Sequence, residues 1–96
     1  MSIMEKFLQA EIYPDGMYEE IINFITSFHV RNGEFEGNEY IIKKMDHINF
    51  LVFSEYVLQD GRREIHSATS IYKCNLLQEI NYYASTKGIR TINIDG

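Results

Sequence analysis

The chain has almost none of the residues that cross-link small proteins. Cys74 is its only cysteine, so no internal disulfide can form, and a single cysteine cannot by itself build a zinc site. A fold without such links is held by packing, and this suits a reducing compartment. We therefore predict a cytoplasmic protein that needs no cofactor.

Long apolar segments and low-complexity tracts are missing as well. The longest apolar run, INFLVF at 48–53, is far shorter than the roughly 20 residues that cross a bilayer. The first residues lack the basic-then-apolar order of a signal peptide. The six glycines fall into no phosphate-binding motif. These absences predict one globular domain over residues 1–96, without a membrane span.

Apolar residues recur with a helical period in three segments of the chain. The predicted helices cover 2–12, 16–29 and a segment that starts at Asn75 and ends before Gly88. Ser2, Asp15 and Asn75 have side chains that can accept the free N–H groups of a first helical turn. We therefore predict these three residues as N-caps.

Stretches rich in β-forming residues predict the strands. They lie at 39–45, 47–59 and 89–94, with one more strand after Asp60-Gly61, and 31–39 is predicted as loop. The order α-α-β-β-β-α-β predicts an α+β two-layer sandwich, with helices packed on one face of a mainly antiparallel four-stranded sheet. A last strand that follows a helical crossover is expected to run parallel to a neighbour.

Asp60-Gly61 lies between two alternating runs, the strongest short signal for a β-hairpin. A two-residue turn at this pair sets the register of both strands. It predicts the pairs Phe50–Ile71, Val52–Thr69, Tyr56–Ile65, Leu58–Arg63, Glu55–His66 and Val57–Glu64. The charged residues near the turn are then a solvated ladder that discourages edge-to-edge association.

The same pairing would bring Glu55, Glu64 and His66 to one end of the hairpin. Carboxylates and imidazole that converge on a point can bind a metal or transfer protons. An alternative hypothesis is therefore a metal- or small-ligand-binding protein, or an enzyme, that uses this face. A row of exposed ion pairs is the simpler interpretation of the same residues.

The charge of the chain is uneven. Its net charge is −5, and residues 1–46 carry all of it, with nine acids against four bases, whereas residues 47–96 carry five of each. An acidic body repels phosphate backbones and anionic membranes. We therefore predict no direct nucleic-acid or membrane partner, and a basic protein as the favoured one.

These observations favour a small, acidic, non-enzymatic protein that acts by binding another protein. An inhibitor or regulator of the kind that phages and mobile elements encode would fit, including one whose carboxylates mimic DNA phosphates. The predicted partner-binding residues are Glu19, Glu20, Glu34, Glu36, Glu39 and Tyr82. A surface that only keeps the protein soluble, and a single exposed aromatic side chain, are the alternative interpretations. A structural subunit that self-associates, as a homodimer for example, is a third hypothesis.

Overall fold

Three helices and four strands form the described part of the chain, which in this computed structural model is residues 2–27 and 33–92. They are α1 (Ile3–Glu11), α2 (Tyr18–Thr26), β1 (Glu34–Glu36), β2 (Ile41–Lys44), β3 (Asn49–Val57), β4 (Arg63–Tyr72) and α3 (Lys73–Thr86). The strands form one antiparallel sheet in the order β1-β2-β3-β4. The predicted α+β class is confirmed.

The core lies between the helices and one face of the sheet. All three helices contribute fully buried apolar side chains, and they meet Phe50 and Val52 of β3. Side chains alternate across a strand, so Leu51 and Phe53 project from the opposite face. Phe53 is buried, yet it is not part of the core cluster that the helices cover. The sheet therefore has one face that the helices cover and an opposite face, which carries Leu51 and Phe53 and which we call the second face.

The helix starts are only partly those expected. Ser2 caps α1 as predicted, because its Oγ accepts the Glu5 N–H at 3.1 Å. The predicted cap Asp15 is wrong: it has a φ of 67° in the Tyr13–Gly16 turn, and α2 begins three residues later without a side-chain cap. Asparagine and aspartate tolerate this left-handed conformation. Asp15 therefore forms part of the turn and does not cap α2.

The third helix also starts earlier than expected. It follows β4 directly, with Tyr72 as its N-cap and no side-chain cap. Asn75 therefore lies inside the first turn, and its predicted capping role is wrong. The predicted end is confirmed, since Gly88 has a φ of 74° and the Ile89 N–H returns to the carbonyl of Ala84 at 3.0 Å.

The fourth strand of the sheet is not the one expected. Residues 31–39, predicted as loop, contain β1, which pairs with β2 from Glu34 opposite Lys43. Of the predicted strand 89–94, residues 89–92 are not in a strand, and residues 93 and 94 lie outside the described residues. Side chains of the helices hold this segment instead. The Ile92 N–H donates to the Tyr18 hydroxyl at 2.8 Å, and its carbonyl accepts from the Asn81 amide at 3.4 Å.

The β3–β4 hairpin has the predicted register in one half and a shifted register in the other. Phe50–Ile71 and Val52–Thr69 pair as predicted. Nearer the turn, the predicted pairs are wrong by one residue: Glu55 faces Ile65, Tyr56 faces Glu64 and Val57 faces Arg63. The loop has three residues, because the Leu58 N–H bonds to the Arg62 carbonyl, and a bulge at Ser54/Glu55 absorbs the difference.

The turn between β2 and β3 is built around one carboxylate. The Oδ1 atom of Asp46 accepts the backbone N–H groups of Ile48 and Asn49 at 2.9 and 2.8 Å, and the Asn49 amide reaches both carboxylate oxygens. These hydrogen bonds, that from the Asn49 side chain first, lower the pKa of Asp46 below its ordinary value of 3.8. Asp46 thus holds the connection between β2 and β3, which covers residues 45–48.

This lowered pKa gives a sign to the acid dependence of stability. A carboxyl group with a lowered pKa in the folded state stabilises the fold above the unfolded pKa, and that contribution is lost as pH falls through the folded pKa. We expect Asp46→Asn to unfold at lower urea concentration than the wild type near pH 7, and the gap to narrow below about pH 4. Urea midpoints measured across this range check the prediction, and a gap that does not change with pH would contradict it.

Candidate functional site

A groove opens on the second face of the sheet, where the β3–β4 hairpin extends past the turn between β1 and β2. It has a volume of about 330 Å³ and is lined by residues 36–41 on one side and by hairpin residues on the other. Glu55, Val57 and Arg63 supply the hairpin side. Because these residues are distant in sequence, only the folded chain forms the groove.

Charge in the groove is predominantly negative. Glu36, Glu39 and Glu55 supply three carboxylates, and among the described residues Arg63 is the one basic residue in the lining. Its guanidinium lies 3.4 Å from the Glu55 carboxylate, whereas Glu36 and Glu39 form no salt bridge with any residue in 2–27 or 33–92. Beside them Val57 is 66 % exposed. The groove thus combines anionic and apolar surface.

One wall of the groove is held by a buried carboxylate. Glu11, at the end of α1, is completely buried, and its Oε1 atom accepts the Asn38 N–H at 2.7 Å. Its Oε2 atom accepts the N–H groups of Glu39 and Tyr40 at 2.9 and 2.8 Å. A carboxylate that satisfies three backbone donors fixes their conformation. The turn that carries Glu39 is therefore preorganised.

The side chain of Tyr40 is a buried part of the same wall. Burial is the main cause that raises the pKa of its phenol, and the charges of Glu39 and Glu11 raise it further. The ring packs edge-on against Phe7, with centroids 6.1 Å apart. Tyr40 is therefore a neutral, fixed part of the wall and not an acid–base group.

The predicted partner-binding residues divide between two sides of the molecule. Glu36 and Glu39 line the groove, and Glu34 projects from the same face of β1 as Glu36. Glu19 and Glu20 lie in the first turn of α2, in the helix layer on the other side of the sheet. The structure therefore brings Glu36 and Glu39 together with Glu55, and leaves the α2 pair apart from them.

Tyr82 lies on the helix side as well. It is 75 % exposed on α3 and borders a shallow concavity of about 460 Å³ between α1 and α3. Glu5 and Glu79 border the same concavity. Tyr82 is thus not part of the groove.

The alternative cluster of Glu55, Glu64 and His66 is divided by the shifted register. Glu55 contacts Arg63, whereas the Glu64 carboxylate accepts the Tyr56 hydroxyl at 2.8 Å. His66 packs edge-on against the Tyr56 ring. Within residues 2–27 and 33–92, no group of three or more His, Cys, Asp or Glu side chains is placed to hold a metal ion.

Two features of the candidate site were not predicted from the sequence. The groove joins the β1–β2 turn to the hairpin, and this contact follows from tertiary structure that local patterns do not encode. Glu11 carried a usable signal, because it interrupts the apolar stripe of α1. A carboxylate on an apolar helix face is expected to be buried with hydrogen-bond donors around it.

Comparisons of this chain with protein-family models, with characterised proteins and with solved structures find no match. Among the described residues, no helix has the length and apolar character to cross a membrane.

Proposed function

We propose that this protein is a non-enzymatic binding module that holds a basic segment of another protein in the groove on the second face of its sheet. The observation that supports it is the placement of Glu36 and Glu39 beside exposed Val57, on a turn that Glu11 fixes. A regulator or inhibitor that occupies a basic surface would use such a groove. The free thiol of exposed Cys74 fits a cytoplasmic setting.

The form of the groove favours an extended segment with alternating basic and apolar residues. Successive side chains of an extended chain point to opposite sides, so lysines or arginines could reach Glu36 and Glu39 while apolar residues contact Val57. Preorganisation of the turn lowers the entropy cost of binding. A mimic of DNA needs a longer row of charges, and the division of the carboxylates gives that version less support.

Binding is tested with a fluorescent peptide that alternates lysine with valine, and with a peptide that has glutamate in place of lysine. We expect the basic peptide to bind, the acidic one not to bind, and affinity to fall as salt is added. Replacing Glu36 and Glu39 together by glutamine is expected to weaken binding by about 3- to 10-fold. Fluorescence anisotropy gives the dissociation constants.

The α2 pair provides a matched control. Glu19→Gln with Glu20→Gln removes the same two charges from the helix side, and this variant should bind within about twofold of the wild type if the groove is the site. Equal weakening by both double variants would show that only the net charge attracts the peptide. That result, or an affinity that does not depend on salt, would refute the proposal that the groove is the binding site.

A further inference from the structure

The outer edge of the sheet at β4 has no partner strand in the part of the chain that the structure describes. β4 is the longest strand, with ten residues from Arg63 to Tyr72, and it pairs only with β3. An edge strand presents a row of unpaired N–H and C=O groups. Such a row can add a strand from another molecule through backbone hydrogen bonds.

Hydrogen bonding at the end of β4 shows which of its backbone groups point outward. The Lys73 N–H donates to the Ile48 carbonyl at 2.8 Å, so it points towards β3. In an antiparallel pair, residues that bond to the neighbouring strand alternate with residues that do not. Ile71 and Thr69 therefore point inward like Lys73, whereas Tyr72, Ser70 and Ala68 point their N–H and C=O groups away from β3.

The two edges of the sheet differ in their protection. β1 has three residues and carries Glu34 and Glu36, and short, charged edges resist strand addition. The stretch of β4 beyond the bulge, Ser67–Tyr72, holds neither a charged residue nor proline. The half of the chain that contains it has equal numbers of acids and bases. Pairing of two copies through Ser67–Tyr72 would therefore oppose no like-charged side chains within this stretch.

We propose that β4 pairs with β4 of a second copy across a two-fold axis and so forms a continuous antiparallel sheet of eight strands. The N–H and C=O groups that point away from β3 in one copy must face the same kind of groups in the second copy. This condition is met when the two-fold axis passes through a residue, so that this residue lies opposite its own counterpart. The regular stretch after the bulge permits this about Thr69 or about Ser70. Small Ala68 and Ser70 then lie on the second face and leave the approach of the two strands open.

The expected dimer is weak, because its interface is small. About five residues of each β4 strand would pair, and the exposed side chain of Tyr72 would add to the contact. The surface area buried in this way is smaller than the roughly 800 Å² per partner of a standard interface. Association should therefore depend on protein concentration in the micromolar range. This proposal does not depend on the peptide groove, because Arg63, the β4 residue that lines the groove, lies before the bulge and outside Ser67–Tyr72.

Sedimentation velocity over increasing protein concentration tests the dimer. We expect the 11.3 kDa monomer to convert to a species of twice that mass. Amide hydrogen exchange locates the interface: the Ala68 and Ser70 amides should exchange fast when the protein is dilute and slowly when it is concentrated. Those of Thr69 and Ile71, bonded to β3, should stay slow throughout. A monomer at all concentrations would overturn the proposal, as would a dimer whose Ala68 and Ser70 amides remain fast.

Ala68→Pro provides a variant test. Proline removes the outward N–H, and edge strands accept it where that group faces solvent, so the variant should stay monomeric at concentrations where the wild type dimerises. Ala68→Ser keeps the N–H and should dimerise like the wild type. Circular dichroism reports whether Ala68→Pro is folded, and the exchange measurement on the wild type decides the question if it is not. A folded Ala68→Pro variant that dimerises like the wild type would overturn the proposal.

Discussion

Replacing Glu11 by alanine is expected to lower the free energy of unfolding by about 3–5 kcal/mol. The substitution removes the carboxylate that accepts the N–H groups of Asn38, Glu39 and Tyr40. It also leaves a cavity at a site that excludes solvent. Small domains are stable by only about 5–15 kcal/mol, so the variant should unfold at much lower urea concentration. Equilibrium urea denaturation followed by circular dichroism measures the change.

Gly37 supplies the control for this mechanism. A Cβ atom at position 37 would lie 2.6 Å from the Glu11 carboxyl carbon, so Gly37→Ala should destabilise the wild type. In the Glu11→Ala background the obstacle is gone, and the same change should cost less, with a coupling of about 1–3 kcal/mol. Additive effects of the two substitutions would show that the carboxylate does not occupy this position.

Replacing Lys44 by alanine is expected to destabilise the fold by about 2–4 kcal/mol. Lys44 is buried, and its Nζ atom donates to the carbonyls of Ser27 and Phe24 at 2.7 and 3.3 Å, at the end of α2. Its ammonium also lies near the rings of Phe24 and Phe50. Lys43 projects from the opposite face, so Lys43→Ala should change stability by less than about 1 kcal/mol. Urea denaturation of both variants compares them, and equal losses would contradict the capping role.

The size of the Lys44 effect should rise with pH. Burial, and then the charge of Lys73, lower the pKa of Lys44 in the folded protein below 10.5. Between that lowered value and 10.5 the unfolded chain binds more protons, so the contribution of Lys44 increases with pH in this window. Tyr40 acts in the opposite sense, because its raised pKa gives a contribution that is lost at alkaline pH. The difference between wild type and Lys44→Ala isolates the lysine, since both contain Tyr40.

The elements that local sequence determines were predictable. The apolar stripe of α1 and its cap at Ser2 are local features, and the structure has both. The central pairs of the hairpin follow from alternation, because a slip of one residue would turn Phe50 and Val52 away from the helices. Near the turn this constraint weakens, since both faces are exposed. A three-residue loop with a compensating bulge therefore fits the core as well as the two-residue turn does.

Elements that depend on distant contacts were not predictable. β1 is a strand because Phe35 packs against Phe24 of α2, with ring centroids 5.8 Å apart, while Glu34 and Glu36 face away. Its three residues are too few for an alternation signal. The segment at 89–92 has the composition of a strand, but Tyr18 and Asn81 take the hydrogen bonds that a strand would make. Composition alone does not reveal such competition.

The residues of the candidate site also differ in how far the sequence alone predicts them. The excess of acidic residues in the first half of the chain led to the prediction of Glu36 and Glu39 as partner-binding residues, because charge can be counted in any sequence. It also joined them to Glu19 and Glu20, since position along the chain does not tell on which side of a sheet a residue lies. The sequence does not show that Glu55 and Val57 line the same groove, because this depends on how far the β3–β4 hairpin extends past β1 and β2.

The hydrogen bonds that Glu11 accepts connect two parts of the chain that are distant in sequence. The carboxylate lies 27 positions before the nearest N–H group that it accepts, so the end of α1 and the β1–β2 connection must come together before these hydrogen bonds can form. Glu11 thus couples the conformation of the β1–β2 connection to the position of α1, and we expect local opening of the helix end to loosen the turn that carries Glu39.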